Sequence, residues 1–442
     1  MLIVGAGACG LCAALAAREA GAEVVVLERD AVPAGSTALS AGLIPAAGTT
    51  AQARAGIADS AALLAHDIQT KAKGAANAVL VATASAAAGP TVEWLAQSYG
   101  LPFELTEGFI FPGHSVQRMH GMPERTGAAL VDRLRSAAEA AGAIILTGAR
   151  AETLLMAGDR AAGVAIARPD GEEVVGCRGL VLACNGYGGN RDYVRRFIPS
   201  LADALFFGHA GNDGTALAWG EAIGADLADL SGHQGHGSVA HPQAILITWA
   251  TITAGGFQID ASGKRFSDES VGYSEQAALV MARPGRVAFS IFDARIAAIA
   301  RQFEDFRRAE AAGAVVMAET PAELAARLGV PAPAFAETLA ETQRLAARQE
   351  RDAYGRSWTE PPLAPPYCAV RVEAALFHTQ GGLVTNADAR VLRGGVPMEN
   401  LFAAGGAAVG VSGPTAAGYL AGNGLLTAVV MGRIAGGQAA AV

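Results

Sequence analysis

The amino-acid sequence predicts an α/β fold in which a parallel sheet alternates with helices, with a second, α+β domain inserted into the first. Three observations lead to this prediction. A strand, a glycine-rich turn, a helix and a second strand follow one another within the first 28 residues. The pattern changes near residue 240 and becomes glycine-rich again after the proline-rich connector at residues 360–367. Hydrophobic residues make up 51% of the 442 residues and charged ones 17%, which is enough apolar material for a large core.

The elements follow in chain order. Apolar and amphipathic runs predict strands at residues 2–4, 23–27 and 180–184, and helices over 11–20, within 51–100 and over 126–141. Four strand-like runs between residues 143 and 176 suggest a small β-meander. Beyond residue 240, strand-like pieces at 245–248, 256–260 and 287–292 are followed by charged helices over 293–312 and 320–350. We therefore expect a discontinuous first domain, residues 1–237 and 368–442, and an inserted capping or substrate domain, residues 238–367.

The composition excludes several classes of protein. Thirty-three Lys and Arg against 41 Asp and Glu give a net charge of −8, and basic runs are short, so we expect no nucleic-acid partner. The 55 glycines have no three-residue period, which excludes collagen. Five cysteines do not make a disulfide framework, and no basic segment precedes the first strand. We expect a cytoplasmic protein with reduced thiols.

The glycine motif at residues 5–10 is the first sign of function. It follows a strand, opens a helix and has an acidic residue, Glu28, at the end of the next strand. Gly5 permits the tight turn, Gly7 lets backbone approach a pyrophosphate, and Gly10 lets the helix pack close to the strand. The helix N-terminus attracts phosphate, and the acid accepts hydrogen bonds from a ribose. In this context the motif predicts a bound dinucleotide, although a glycine-rich turn without a ligand has the same local form.

Seven segments carry a family resemblance. Small residues at 35–48 follow the second strand directly, and six further segments follow in order: LACNGYGGN within residues 180–191, GNDGTALA at 211–218, GKRFSDE at 263–269, HTQGG at 378–382, LFAAG at 401–405 and GNGL at 422–425. Together they resemble the flavoprotein family of fumarate reductases, succinate dehydrogenase flavoprotein subunits and 3-ketosteroid dehydrogenases. The resemblance covers nearly the whole chain. It implies a flavin-dependent dehydrogenase or reductase with a Rossmann-like, glutathione-reductase-type FAD-binding domain and an inserted capping domain.

The resemblance also implies how FAD is held. The implied contacts are Gly5, Gly7, Ala8, Gly10, Glu28, Arg29, Ser36, Thr37, Ala41, Gly42, Ala151, Cys184, Asn185, Asp213, Gly405, Gly406, Gly424 and Leu425. Some members of the family attach the flavin covalently through a histidine near residues 36–42, where this chain has none, so non-covalent FAD is implied. Gly406 stands where the family usually has a glutamate, so one contact of the family is expected to be missing.

The catalytic positions depart from the fumarate reductase pattern. In those enzymes a proton-donating arginine follows the GKRF-x-x-E glutamate by four positions, and a second arginine, which holds a substrate carboxylate, precedes a closing glycine by three. Counting from Glu269 gives Tyr273, and counting back from Gly422 gives Tyr419. Ketosteroid dehydrogenases of the family carry tyrosines at comparable places. A serine base that is expected just after the second tyrosine has no counterpart in this chain.

The two tyrosines change the implied substrate. An arginine fork suits a carboxylate, whereas a phenol is one neutral donor that also serves as a base when its pKa is lowered. The resemblance therefore implies dehydrogenation of a CH–CH bond next to a ketone, or reduction of an enone, with Tyr273, Tyr419 and His378 as catalytic residues. His236 is the best candidate for a substrate-facing histidine of the inserted domain. Ordinary packing roles for the tyrosines, and a structural role for His378 beside the flavin, remain open.

Two other functions stay open at this point. The first is a fumarate-type reduction of a carboxylate substrate, which needs a cation from elsewhere, such as Arg118, Arg125 or Arg283, to replace the missing arginines. The second is a flavin-binding protein with a degenerate site that serves electron transfer or regulation. Since a second glycine motif suitable for NADPH is missing, the sequence leaves the electron donor or acceptor unknown.

Three further patterns have weaker interpretations. Cys9 and Cys12 form a C-x-x-C, but the glycine between them belongs to the nucleotide turn, so we do not expect a redox dithiol. His233, His236 and His241 approach a metal-ligand spacing, but no cysteine or carboxylate lies among them, and we expect no metal. Residues 401–432 are uncharged and long enough to cross a membrane. Their many glycines indicate backbone buried around a ligand instead, so we expect no membrane span.

Overall fold

The computed structural model describes residues 1–107 and 110–442 and divides into two compact units. The first unit contains residues 1–198, 208–234 and 378–442, and the second contains residues 199–207 and 235–377. Residues 199–207 belong to the second unit because a short strand in them, residues 205–206, pairs with the long strand 367–379. The domain boundaries at residues 237 and 368 that the sequence suggests stay a prediction.

The strands, in chain order, are β1 (Leu2–Val4), β2 (Val25–Leu27), β3 (Ile44–Pro45), β4 (Glu104–Leu105), β5 (Met119–Gly121), β6 (Ile144–Leu146), β7 (Arg150–Ala157), β8 (Arg160–Arg168), β9 (Gly171–Gly176), β10 (Leu180–Leu182), β11 (Leu205–Phe206), β12 (Leu227–Ala228), β13 (His233–Ala240), β14 (Ile245–Leu246), β15 (Phe257–Ile259), β16 (Val287–Asp293), β17 (Val315–Ala318), β18 (Tyr367–Thr379), β19 (Gly382–Leu383), β20 (Arg390–Arg393) and β21 (Val396–Ala403).

The α-helices are α1 (Ala8–Glu19), α2 (Gly35–Ala38), α3 (Thr50–Arg54), α4 (Ala61–Lys71), α5 (Ala78–Tyr99), α6 (Gly127–Ala140), α7 (Arg191–Phe197), α8 (Thr215–Ile223), α9 (Ala250–Thr253), α10 (Tyr273–Met281), α11 (Ala294–Ala300), α12 (Glu304–Ala311), α13 (Pro321–Leu328), α14 (Ala332–Arg348) and α15 (Asn423–Ala439). Short 3₁₀ turns lie at Pro199–Leu201, Glu269–Val271, Pro284–Arg286, Gly405–Ala407 and Ala416–Gly418.

The first unit is built on a sheet with the strand order β20-β21-β10-β1-β2-β6. β21, β10, β1, β2 and β6 run parallel, and β20 is an antiparallel edge strand. The central strand β1 is completely apolar and buried, as expected for a parallel strand that is covered on both faces. The α/β fold with a parallel-sheet core that the sequence predicts is therefore confirmed.

One prediction for this unit was wrong in detail. The sequence suggested a meander of four strands between residues 143 and 176, but β6 pairs with β2 in the parallel sheet. Only β7, β8 and β9 form the separate antiparallel sheet. The run at 144–146 is apolar, like a parallel strand, and the sequence alone does not say which neighbour an apolar strand will pair with.

Two glycines of the long helix α15 serve helix packing. The expectation of buried backbone around a ligand over residues 401–432 stays a prediction, and the end of that range lies inside α15. A Cβ atom on Gly432 would lie 2.4 Å from the carbonyl oxygen of Cys9, and one on Gly436 would lie 2.1 Å from that of Ala13. These glycines thus let α15 pack directly on the backbone of α1.

The second unit contains a sheet with the strand order β14-β13-β18-β16-β15, and β11 and β17 also pair with β18. β16 is buried along its whole length and pairs antiparallel with β18 over seven residue pairs. Helices α9 to α14 belong to this unit, which is α+β, as the sequence predicts for the inserted part.

Among the described residues, α5 is the one helix that is long and apolar enough to cross a membrane by length and composition. Because 56% of its apolar window is buried inside the protein, it has the character of a core helix, and it is weak support for a membrane span.

Candidate functional site

The turn between β1 and α1 has the geometry of a dinucleotide cradle. Gly5 has a φ angle of 104°, and a Cβ atom on it would lie 2.5 Å from the carbonyl oxygen of Ala183. A Cβ atom on Gly10 would lie 1.8 Å from the carbonyl oxygen of Gly5. Both positions therefore require glycine for the turn itself, whether or not a ligand is bound.

Gly7 has no such requirement from the fold. It is extended, with a φ of −77°, and the nearest atom to a Cβ there would be Thr37 Oγ1 at an ordinary 3.4 Å. It is also the N-cap of α1 and, as a glycine, has no side chain that could cap the helix. The backbone N–H of Ala8 donates to Thr37 Oγ1 at 3.2 Å. An open position at this helix N-terminus fits the close approach of a pyrophosphate.

Glu28 is held rigidly at the end of β2. Its carboxylate is 6% exposed, and it accepts hydrogen bonds from the backbone N–H groups of Ala6 at 3.0 Å and Asp30 at 2.9 Å. Each carboxylate oxygen has further lone pairs, so the side chain fits the role of ribose acceptor.

A cluster of polar contacts joins residues 29–36 to residues 209–213 within the first unit. Arg29 forms an ion pair with Asp213 at 3.1 Å. Ser36 Oγ accepts hydrogen bonds from Asn212 Nδ2 at 2.8 Å and from the backbone N–H of His209 at 3.3 Å. Three predicted cofactor residues are thus brought together. Sequence reasoning missed His209, which lies two residues before the GNDG segment, and Asn212, which lies inside it.

The other predicted FAD residues lie on nearby elements of the same unit. Gly42 has a φ of 67°, and Ala151 belongs to β7. Asn185, just after β10, has its Oδ1 atom 2.1 Å from where a Cβ atom on Gly406 would lie. A side chain at position 406 would therefore collide with the amide of Asn185. This collision accounts for the glycine at a position where the family usually has a glutamate.

His378, near the end of β18, and Tyr419 lie together in the first unit. The rings of His378 and Tyr419 are 5.3 Å apart and nearly perpendicular. A Cβ atom on Gly424 would lie 3.0 Å from His378 Nε2. Burial lowers the pKa of His378 to about 4. Burial raises the pKa of Tyr419, against the opposing effect of the backbone N–H groups of Gly424 and Gly422. Both side chains are neutral hydrogen-bonding groups at pH 7.

One buried acceptor, on Asn423, has no hydrogen-bond partner among the described residues. Asn423 is fully buried, and its Oδ1 atom accepts no hydrogen bond from any residue that the structure describes. Such an atom is costly unless a ligand donates to it. It lies next to Gly424 and Leu425, two predicted flavin contacts, so the residues present fit FAD at this place.

The second unit contains a column of aromatic rings that includes two predicted site residues. Tyr273 stacks on His236 with ring centroids 4.9 Å apart and an interplanar angle of 18°. His236 stacks in turn on Phe377 at 5.4 Å, and Phe377 stacks on Phe207 at 5.1 Å. The edge of Trp249 contacts the column at His236. Sequence reasoning missed the last three rings, because nothing in their spacing indicates that they share one stack.

A buried ion cluster positions the start of α10. Glu269 is fully buried and pairs with Arg265 at 2.7 Å and with Arg356 at 3.0 Å. Gly272 follows with a φ of 141°, a conformation for glycine, and Tyr273 is the first residue of the helix. The GKRF-x-x-E segment thus has a structural role: its buried ion pairs fix the backbone just before the helix that begins at Tyr273.

The three histidines of the β13 region have separate partners. His233 Nδ1 bonds to the carbonyl oxygen of Ser231, His236 Nδ1 accepts from the backbone N–H of Ser238, and His241 Nδ1 bonds to Glu373. Within residues 1–107 and 110–442, no group of three or more His, Cys, Asp or Glu side chains is arranged to hold a metal ion.

Of the three arginines that we considered as carboxylate clamps, one is unsuitable. Arg118 has no exposed side-chain surface, and its guanidinium pairs with Asp59 at 3.1 Å and with Asp67 at 2.7 Å. It is saturated by two carboxylates. Arg125 is exposed, and Arg283 lies over the ring of Phe266 at 5.0 Å.

Comparison with known proteins identifies the family. The family model described as "FAD binding domain" matches residues 1–425. The chain belongs to this family. The flavoprotein is 29% identical over 448 residues to "Probable fumarate reductase Ifc3" of Shewanella frigidimarina, a match that covers 100% of this chain and 74% of that protein.

Solved structures give the same assignment. The open conformation of a flavocytochrome c3 fumarate reductase matches with a TM-score of 0.84 and 28% identity, over 100% of this flavoprotein and 78% of that chain. A 3-ketosteroid-Δ4-(5α)-dehydrogenase of Rhodococcus jostii RHA1 matches with a TM-score of 0.80 and 26% identity, over 99% and 96%. The predicted family, the FAD cofactor and the enzyme class are thus confirmed: the flavoprotein is an FAD-dependent oxidoreductase of the fumarate reductase family that acts on CH–CH bonds.

We expect the flavoprotein to lose stability steeply below pH 6.5. Burial lowers the pKa of His114 and His378 to about 4 and that of His236 to about 3. Between about pH 6.5 and pH 4 these histidines bind protons in the unfolded chain but stay neutral in the folded protein. The free energy of unfolding therefore falls as the pH falls. The melting temperature of the FAD-loaded protein between pH 7.5 and pH 4.5 tests this.

Variants assign that loss to the histidines. His236→Phe preserves a ring in the aromatic column, so its melting temperature should depend less steeply on pH than that of the wild type. His66→Gln, at an exposed position, is the matched control and should leave the dependence unchanged. If the melting temperatures of the wild type and His236→Phe depended equally steeply on pH, the assignment to His236 would be contradicted.

Proposed function

We propose that this enzyme dehydrogenates a CH–CH bond next to a ketone, or reduces the corresponding enone. The observation that carries the proposal is the ring contact between His378 and Tyr419, because both side chains are neutral and able to donate a hydrogen bond at pH 7. FAD, when bound, supplies a hydride acceptor or donor. A neutral donor pair suits an uncharged carbonyl oxygen, on which negative charge develops during the reaction.

The roles follow from the chemistry of each side chain. In this proposal Tyr273 transfers the proton at the carbon next to the one that exchanges hydride. His378 and Tyr419 donate hydrogen bonds to the carbonyl oxygen, and His236 supports the ring of Tyr273 through the stack. Tyrosine is a reasonable proton-transfer group because its hydroxyl both donates and accepts.

The arginines also favour a neutral substrate. A carboxylate is usually held by a bidentate arginine fork. Arg118 is engaged by two aspartates, and the two family positions that carry arginine in fumarate reductases are Tyr273 and Tyr419.

A carboxylate substrate is the second candidate, because a fumarate reductase is among the relatives of highest similarity. Under this alternative Arg125 or Arg283 supplies the charge that the two tyrosines lack. The two candidates differ in a measurable way, because they predict opposite responses to neutral and anionic alkenes.

Anaerobic titration of the FAD-loaded protein separates them. We expect a cyclic enone or an unsaturated 3-ketosteroid to reoxidise the dithionite-reduced flavin, and a saturated ketone to bleach the oxidised flavin. Fumarate should leave the reduced flavin unchanged over the same time. Rapid reoxidation by fumarate with no reaction of the ketones would overturn the proposal in favour of the second candidate, and no reaction with either would contradict both.

Two further points remain part of the proposal. We infer non-covalent FAD, since no histidine lies in residues 36–42. Acid precipitation should release the flavin into the supernatant, and a coloured pellet would contradict this. We also infer a cytoplasmic location, which is supported by five cysteines that are all free thiols. The electron donor or acceptor is a separate partner whose identity these residues do not specify.

A further inference from the structure

A chain of hydrogen bonds runs from the start of α15 to His378. Asn423 Nδ2 donates to Ser412 Oγ at 3.0 Å, and Ser412 Oγ donates to Gln380 Oε1 at 2.8 Å. Gln380 Nε2 then lies 3.1 Å from His378 Nδ1. Asn423, Ser412 and Gln380 are each at most 4% exposed. The chain of bonds is therefore shielded from water, which would otherwise compete for each bond.

The bonds have one favoured direction. Because the hydroxyl of Ser412 receives a hydrogen bond from Asn423, its own hydrogen goes to Gln380, so the amide oxygen of Gln380 faces the serine and its NH₂ group faces the histidine. In the structure the amide of Asn423 donates to Ser412 and the hydroxyl of Ser412 donates to Gln380, so both bonds run towards the histidine.

We propose that Gln380, oriented by Ser412 and Asn423, is a positioning residue that fixes His378 in the tautomer with its proton on Nε2. An amide N–H that donates to Nδ1 requires that nitrogen to be unprotonated, so a neutral ring must carry its proton on Nε2. The carbonyl oxygen of Thr379 can only accept, so it would favour a proton on Nδ1, but it lies farther from that nitrogen, at 3.4 Å against 3.1 Å for the Gln380 amide.

The consequence concerns specificity for an oxygen acceptor. With Nε2–H fixed, His378 presents a donor beside Gly424, where a side chain would collide with the ring. The titratable neighbours are Tyr419, in ring contact, and His233, whose charge would further disfavour a cationic His378. The proposed use of the donor, a hydrogen bond to a substrate carbonyl oxygen, rests on the proposed function, whereas the tautomer itself does not.

Nitrogen NMR tests the tautomer without any substrate. In the FAD-loaded protein labelled with ring-¹⁵N histidine, the His378 resonances are assigned by their loss in His378→Gln. We expect a neutral ring with a protonated Nε2 and an unprotonated Nδ1 at pH 7. A protonated Nδ1 in the wild type would overturn the inference, even if the enzyme proved to act on ketones.

Three variants, one of Gln380 and two of Ser412, test the positioning role. Gln380→Glu replaces the donor by an acceptor of the same shape, so Nδ1 becomes protonated and Nε2 loses its proton in the neutral ring. Ser412→Ala removes the hydrogen bond that orients the amide, and Ser412→Thr should restore it. The NMR spectrum should show the reversed tautomer in Gln380→Glu and mixed tautomers in Ser412→Ala.

The kinetic signature is a pH profile that a structural defect would not produce. For Gln380→Glu we expect kcat/KM to fall by about 10²-fold at pH 8, the scale of losing one donor to a developing oxyanion. The kcat/KM of this variant should recover in part towards pH 6, because the new carboxylate favours an imidazolium ring, which again carries a proton on Nε2. Gln302→Glu, at an exposed position of the second unit, is the matched control and should keep the wild-type profile.

The outcomes separate the two hypotheses. A reversed tautomer with no change in kcat/KM would leave the positioning of the ring intact and remove His378 from the proposed substrate contact. A loss of activity that is equal at pH 6 and pH 8, with an unchanged tautomer, would overturn the inference and indicate a packing defect.

Discussion

Replacing Tyr273 by phenylalanine is expected to lower the turnover number by about 10²-fold or more, the scale of general acid–base catalysis, while FAD remains bound. Phenylalanine preserves the stack on His236 and removes only the hydroxyl group. Stopped-flow measurement of flavin reoxidation by an enone reports the chemical step, and the visible spectrum of the purified variant reports the bound flavin.

A second tyrosine makes the comparison specific. Tyr99 belongs to the first unit, and its hydroxyl makes one long contact, 3.4 Å, to the carbonyl oxygen of Leu15. Tyr99→Phe should therefore retain near-wild-type turnover. If Tyr273→Phe also retained it, Tyr273 would lose its proposed role. If Tyr273→Phe lost both flavin and melting temperature, the residue would be structural.

Replacing Gly7 by alanine is expected to weaken FAD binding by about 10-fold to 10²-fold without unfolding the protein. The φ angle of Gly7 suits alanine, and the added Cβ would meet only Thr37 Oγ1 at an ordinary distance. The methyl group would instead stand between the helix N-terminus and the pyrophosphate. Loss of one hydrogen bond to a charged group costs about 1.5–3 kcal/mol, which corresponds to that range of affinity. Fluorescence titration of flavin-depleted protein with FAD gives the dissociation constant.

Alanine variants of two other glycines serve as controls for Gly7→Ala. Gly437, in α15, has no atom within 4 Å of an added Cβ, so Gly437→Ala should leave both affinity and folding unchanged. Gly10→Ala should yield little folded protein, because its Cβ would lie 1.8 Å from a backbone oxygen. An unchanged FAD affinity in Gly7→Ala would show that the pyrophosphate does not approach this residue.

The contrast between these glycines shows how far sequence reasoning extends. The order of glycines, the following helix and Glu28 predicted the cradle, because that turn is local and its steric demands act over a few residues. The pattern also assigned Gly7 to the ligand and Gly10 to close packing. The structure adds the distances behind these roles: an added Cβ would lie 1.8 Å from the carbonyl oxygen of Gly5 at position 10, but at position 7 its nearest atom would be Thr37 Oγ1 at 3.4 Å, a neighbour that only the tertiary structure brings close.

By itself, the sequence determined the α/β class, the FAD cradle and the family, because these follow from apolar periodicity and from short motifs in a fixed order. Only the tertiary structure decided that β6 joins the parallel sheet, that Arg118 is saturated by Asp59 and Asp67, and that Gln380, Ser412 and Asn423 line up behind His378. The physical reason is range: pairing partners, ion pairs and hydrogen-bond direction depend on groups that are far apart in the chain, and no local pattern in the sequence encodes their distance.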